Sequence, residues 1–116
     1  MTQSADFFAR SRKVTPGGVH SPVRSLRSVY AHPIFIDSAF GSQLVDVDGV
    51  SYTDYCMAFG PLIHGHSDPT VYRAASEALE TGWSYGAAET ASLQLAELIT
   101  GTIPWVESIR FVSSGT

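Results

Sequence analysis

Ile109-Arg110-Phe111-Val112-Ser113-Ser114-Gly115-Thr116 opens as a β-branched and aromatic run and closes on small hydroxylated residues around a glycine. The first half predicts a buried strand. The second half predicts a turn whose N–H groups and hydroxyls can face an anion, above all where a helix starts just beyond it. A plain turn accounts for the same residues. The position directly after a buried strand favours the anion, because ligands gather at the carboxyl ends of strands in open α/β sheets. The sequence stops where that helix would begin, so the expectation is a piece of a longer polypeptide.

Working back from this stretch, Leu95, Leu98 and Ile99 fall at helical spacing. They predict a helix over 89–100 with a buried stripe, ended by Gly101 and Pro104. Asp68-Pro69 supplies an N-cap and a first-turn proline for another helix, with Val71, Ala75, Ala78 and Leu79 as its apolar stripe and Gly82 as its stop. Cys56 to His66 is apolar, with three glycines and a proline, and reads as a buried loop. Before it, Pro33–Asp37, Gln43–Asp48 and Ser51–Tyr55 predict three short strands, the last two joined by a hairpin turn at Asp48-Gly49. Ser4 to Val14 predicts a short helix with Phe7 and Phe8 inward, ended by Pro16-Gly17-Gly18. Val19 to Ala31 has no clear period and reads as an ordered loop carrying Arg24 and Arg27. The expected organisation is 1–60 as helix, loop and small antiparallel sheet, and 61–116 as the beginning of an α/β layer.

The chain has 116 residues, a formal net charge of -4 and seven scattered Lys and Arg. Scattered cations do not build the clustered basic face that nucleic acid requires, so no nucleic-acid partner is expected. One cysteine excludes an internal disulfide and suits a reducing compartment. No run approaches the ~20 apolar residues of a membrane span, and the first residues lack the order of a secretory signal. A cytoplasmic chain is the expectation.

Several side chains are candidates for chemistry. Arg24, in His20-Ser21-Pro22-Val23-Arg24, can pair bidentately with a carboxylate; a solvated surface arginine is the alternative. His64-Gly65-His66 suggests a metal, but no third ligand supports one, and a structural role in a tight loop is the preferred reading. Asp46, Asp48 and Asp54 lie in or beside a hairpin, where turn-forming and solvated roles suffice. Cys56 lies in apolar company and reads as an inert core residue. Tyr85-Gly86-Ala87 can pass close to a ligand or serve packing alone.

These pieces, in this order, resemble the class III, fold-type I pyridoxal-phosphate enzymes. The resemblance rests on Pro16-Gly17-Gly18-Val19-His20-Ser21-Pro22-Val23-Arg24, Val45-Asp46-Val47-Asp48-Gly49, and Tyr52-Thr53-Asp54-Tyr55. Gly60-Pro61-Leu62-Ile63, Gly65-His66, Tyr85-Gly86-Ala87 and the stretch 109–116 complete it. It covers nearly the whole chain, and the Pro-Gly-Gly-Val run is its most specific part, separating aminomutases from most other enzymes of the class. It implies an α/β fold, of which this chain is the N-terminal segment, with pyridoxal or pyridoxamine 5'-phosphate as cofactor. It implies that Ser114, Gly115 and Thr116 hold the cofactor phosphate, and that Arg24 grips the carboxylate of a small amino-aldehyde acid with Ser21 nearby. Phe59 would line the substrate pocket, where the family usually has Trp. Two further departures are Ala88-Glu89-Thr90 in place of Pro-Thr-Glu, and Asp68 in a loop where the family usually has His. The resemblance also implies a homodimer. Its cofactor-bearing lysine has no counterpart here, since Lys13 is the one lysine, so the chain by itself is expected to be inactive. A transaminase with another amino substrate, and a non-catalytic module binding through strand edges, are the alternatives.

Overall fold

The computed structural model describes residues 2–30 and 32–113. Two compact units divide it, Met1–Ala75 and Ser76–Thr116. The described elements run helix α1 (Gln3–Val14), strands β1 (Ile36–Phe40), β2 (Gln43–Asp46) and β3 (Ser51–Thr53), then helices α2 (Pro69–Glu80) and α3 (Thr90–Thr102).

In the first unit the helix and the sheet are tied together by carboxylates. Thr2 caps α1, its hydroxyl accepting from the N–H of Ala5 at 3.2 Å. Asp48, from the turn after β2, reaches the same helix end. Its two oxygens accept from the N–H groups of Gln3 (2.6 Å) and Ser4 (3.1 Å). A carboxylate here satisfies two orphan donors and meets the positive end of the helix dipole. The aromatic pair Phe7 and Phe35 meets edge to face, with ring centroids 5.6 Å apart. Phe8 lies so close over Gly18 that a Cβ there would come within 2.6 Å of its ring. Val14, the last residue of α1, is 83% exposed.

The sheet is antiparallel in the order β1-β2-β3. β1 starts at Ile36, three residues later than the sequence predicts, and continues to Phe40. Its register against β2 slips between Ile36 and Ser38, a bulge in which Asp37 is the extra residue. The hairpin from β2 to β3 turns at the predicted Asp48-Gly49, with Gly49 at φ +81°. Asp46, only 4% exposed, organises that turn. It accepts from the N–H groups of Asp48 (3.0 Å) and Val50 (2.8 Å) and from the Tyr52 hydroxyl (2.9 Å). Asp46 thus takes the turn-forming role that the sequence allows, as a bonded buried group rather than a solvated one. The bond to Asp46 raises the pKa of the Tyr52 phenol, with desolvation acting in the same direction.

Asp68 caps α2 as predicted, accepting from Thr70 and Val71 N–H at 3.0 Å each. In the second unit Gly82 stands at φ +96° beyond the end of α2. The N–H groups of Thr81 and Gly82 bond the last-turn carbonyls of Ala78 (3.2 Å) and Leu79 (3.3 Å), and the Tyr85 hydroxyl lies 2.7 Å from the Thr81 carbonyl and 2.8 Å from that of Gly82. Glu89 caps α3 by accepting from Ala91 N–H (2.7 Å) and Ser92 N–H (2.8 Å). The departure at Ala88-Glu89-Thr90 therefore keeps a working helix start.

Two expectations fail, and the apolar faces of both helices stand open. The stripes of α2 and α3 are present but uncovered: Val71, Leu79, Leu95 and Leu98 are all exposed, Leu98 by 64%. No apolar side chain among the described residues is fully buried. Residues 109–112 form no strand, because a β run gains its stability from a neighbouring ladder and packed faces, and no strand pairs with it here. Finally, α3 continues through Gly101 to Thr102; its C-cap is Ile103, whose N–H meets the Ile99 carbonyl.

Candidate functional site

Arg24 sits on a short 3-10 turn, Pro22–Ser25. Pro22 fixes the first φ of that turn, and the buried Ser25 closes it, its hydroxyl donating to the Pro22 carbonyl at 2.7 Å. Ser21 flanks the turn in extended conformation, and its backbone carbonyl accepts from the Arg24 N–H at 3.0 Å. Leu26 then leaves in the left-handed region at φ +51°. The backbone under Arg24 is therefore built, while its guanidinium is exposed and, among the described residues, forms no ion pair. Such a group is available to a carboxylate in the bidentate geometry that arginine favours.

Phe59 sits on the other candidate loop, which is exposed rather than buried as the sequence suggests. Its side chain is 72% exposed. Cys56, read from the sequence as core, is exposed as well. Within the described residues the loop is held by polar bonds. The backbone around Phe59 is unusual. Met57 (φ +46°), Ala58 (+54°), Phe59 (+68°) and Gly60 (+106°) form four consecutive left-handed residues, three of them bearing side chains. Each such L-residue is disfavoured by about 1–2 kcal/mol, and a run survives only where its surroundings over-determine it.

Asp54 bonds the entrance to this run. Its Oδ1 accepts from the N–H groups of Cys56 (2.8 Å) and Met57 (3.0 Å), and its Oδ2 lies 2.7 Å from Nε2 of His66. The Asp54 side chain is only 8% exposed and that of His66 18%. The hydrogen bond to His66 and that from the Met57 N–H hold the Asp54 carboxyl below its ordinary pKa, with desolvation opposing them. The far end of the loop is fixed in turn, since His66 and Gly41 exchange N–H···O bonds of 2.8 and 2.9 Å. Gly65 lies tight against this bridge, where a Cβ would stand 2.9 Å from the Gly41 carbonyl oxygen. A hydroxyl bond from Ser67 to the Ala39 carbonyl at 3.0 Å completes the attachment to the sheet.

The Asp54–His66 pair is the part of the candidate site that the sequence reading missed. The reading gave His66 a structural place and Asp54 a turn-forming or solvated one, without pairing them. A pairing across twelve residues has no period to reveal it, and only the return of the loop onto Gly41 brings the two together. Among the described residues no group of three His, Cys, Asp or Glu could hold a metal ion, and no helix is long and apolar enough to cross a membrane. Ser114, Gly115 and Thr116, the predicted phosphate loop, lie outside the described residues.

Known proteins share this sequence and this arrangement. The aminotransferase class-III family model matches residues 25–116. A curated relative from Leptospira interrogans, named glutamate-1-semialdehyde 2,1-aminomutase, is 57% identical over 113 residues, covering 97% of this chain and 26% of its own. An omega-transaminase from Sphaerobacter thermophilus superposes with a TM-score of 0.90 at 32% identity, over 98% of this chain and 25% of its own. A structure described as a transaminase with PLP bound gives a TM-score of 0.85 at 33% identity, over 97% and 26% of the two chains. The chain thus spans about a quarter of the length of the curated relatives it matches.

Proposed function

The chain belongs to the class III aminotransferase family, and from that premise we propose that the whole protein is a glutamate-1-semialdehyde 2,1-aminomutase. It would convert (S)-4-amino-5-oxopentanoate to 5-aminolevulinate for tetrapyrrole synthesis, as a homodimer dependent on pyridoxal or pyridoxamine 5'-phosphate. The observation that carries this reading is the run Pro16–Arg24 of this chain, together with its 57% identity to a relative of that name. The helix-and-sheet segment 1–60 would carry the substrate groups, and 61–116 would open the large cofactor-binding domain.

Arg24 would bind the substrate carboxylate, with Ser21 beside it. The exposed guanidinium on its closed turn, in no ion pair among the described residues, supports that role. Phe59 would bound the pocket with a single ring where the family usually has the larger Trp, leaving more room beside the substrate. Ser114, Gly115 and Thr116 would hold the cofactor phosphate with backbone N–H groups and hydroxyls. Covalent attachment of the cofactor finds no partner in this chain. Its one lysine, Lys13, stands exposed in the last turn of α1, whereas a reactive amine needs a desolvated setting. The 116 residues alone are therefore inactive in this reading, and catalysis belongs to the whole protein.

Turnover by the whole protein tests the proposal. With the cofactor supplied, glutamate-1-semialdehyde should yield 5-aminolevulinate with no second amino donor. A requirement for an external amino donor would instead favour a transaminase with another substrate, the reading to which the Phe59 and Ala88-Glu89-Thr90 departures point.

A further inference from the structure

We propose that the Asp54–His66 pair is a positioning device that holds the left-handed turn Met57–Gly60 and thereby fixes where Phe59 stands against the substrate. The inference rests on the reading of Phe59 as a pocket residue. Its independent content is the mechanical link from His66 through Asp54 to that turn.

The argument begins with the backbone. Three side-chain-bearing residues in succession occupy the left-handed region, and Gly60 follows in the same region. Within the turn, the Phe59 N–H meets the Cys56 carbonyl at 2.9 Å and the Gly60 N–H meets the Met57 carbonyl at 3.0 Å. Those two bonds are available to many ordinary turns and do not select this hand. The selecting contacts come from Asp54, whose single Oδ1 gathers the N–H groups of Cys56 and Met57 at the entrance to the turn. One aspartate oxygen can hold two amides unaided, as Asp68 does at the start of α2, though the carboxylate then keeps rotational freedom. His66 removes that freedom by engaging the other oxygen, Oδ2, at 2.7 Å. His66 is itself fixed by its backbone bridge to Gly41, at the edge of the sheet. The chain of contacts is therefore continuous: sheet, His66, Asp54, turn, Phe59.

A positioning role predicts effects that travel through Phe59. In the whole protein, Phe59→Ala should raise KM for the amino-aldehyde substrate and leave cofactor retention unchanged. His66→Ala should raise KM by roughly tenfold, the scale of one charge-assisted hydrogen bond, with a smaller change in kcat. Combining His66→Ala with Phe59→Ala should cost no more than Phe59→Ala alone, because a misplaced ring and an absent ring are equivalent. Ala58→Gly should rescue His66→Ala, since glycine enters the left-handed region without the Cβ penalty. A structural role for His66 elsewhere would not be repaired by a glycine at position 58.

Amide hydrogen exchange at Cys56 and Met57 reads the same link without turnover. It should accelerate at least tenfold in His66→Ala and recover with Ala58→Gly. Unchanged exchange in His66→Ala overturns the proposal, as does a KM penalty that adds fully to that of Phe59→Ala. If Phe59→Ala leaves KM unaltered, the pocket reading falls instead, and the exchange data still judge the link on their own. Should Asp54→Ala fail to fold, the His66 and Ala58 variants carry the test.

Discussion

The segment from Thr2 to Ser67 and the segment from Ser76 to Ser113 are stabilised in opposite ways. In the first, polar bonds cross long stretches of sequence: Asp48 to the start of α1, Asp54 to His66, Gly41 to His66, and Ser67 to Ala39. In the second, the side-chain hydrogen bonds from Thr81 to Thr100 all join residues within four positions of one another. Apolar residues there, among them Leu93, Leu98 and Trp105, are exposed. Local bonds define a helix but do not fix it in a fold, because most helical stability in proteins comes from packing an apolar face. The candidate substrate residues all lie in the first segment, where geometry is over-determined.

Glycine substitutions give the sharpest break between the two. Gly65→Ala places a Cβ 2.9 Å from the Gly41 carbonyl oxygen at φ +85° and should destabilise the loop by about 3 kcal/mol, read as faster exchange of the His66 amide. Next in size, Asp48→Ala removes the bonds to Gln3 and Ser4 and should cost about 1–2 kcal/mol, seen in unfolding of α1. In the second segment the sign reverses. Gly101 lies in α3 with nothing within 4 Å of an added Cβ, so Gly101→Ala should stabilise that helix by about 0.5–1 kcal/mol, measured by circular dichroism. A destabilising Gly101→Ala would mean that α3 is packed more closely than its exposed stripe implies.

Acid should separate the segments by a smaller margin. Asp54 is held below its ordinary value, first by His66 and then by the Met57 N–H. For Asp48, partial desolvation pushes the carboxyl up, but the hydrogen bonds from Ser4 and Gln3 outweigh it and the net direction is down. A depressed carboxyl contributes stability that is fully present above the unfolded value of about 3.9 and is lost as pH falls through the lower folded value. Exchange protection in the first segment should therefore be flat from neutral pH down to about 4 and fall below it. Loss beginning well above pH 4 would contradict that assignment.

What the sequence made legible was local chemistry. Asp68-Pro69 marks the start of α2 because capping is decided within four residues. Asp48-Gly49 marks the hairpin because the turn needs a positive φ. Covering was not legible: the stripes at Val71–Leu79 and Leu95–Ile99 have the right spacing, yet spacing does not say what lies opposite. The run at Ile109 has strand composition and no ladder partner. In the candidate site, Arg24 stood out through its Pro-Val-Arg turn, and Phe59 through resemblance alone. Asp54 and His66 emerged only when the loop closed on the sheet.

The most direct test of the functional account is a titration of the whole protein, in its cofactor-loaded form, with a carboxylate analogue of the substrate. Arg24→Ala should weaken that binding by about 2–5 kcal/mol, the range for truncating one partner of a desolvated charge pair, while the bound cofactor's absorbance stays unchanged. Equal affinity in the two proteins would contradict the account.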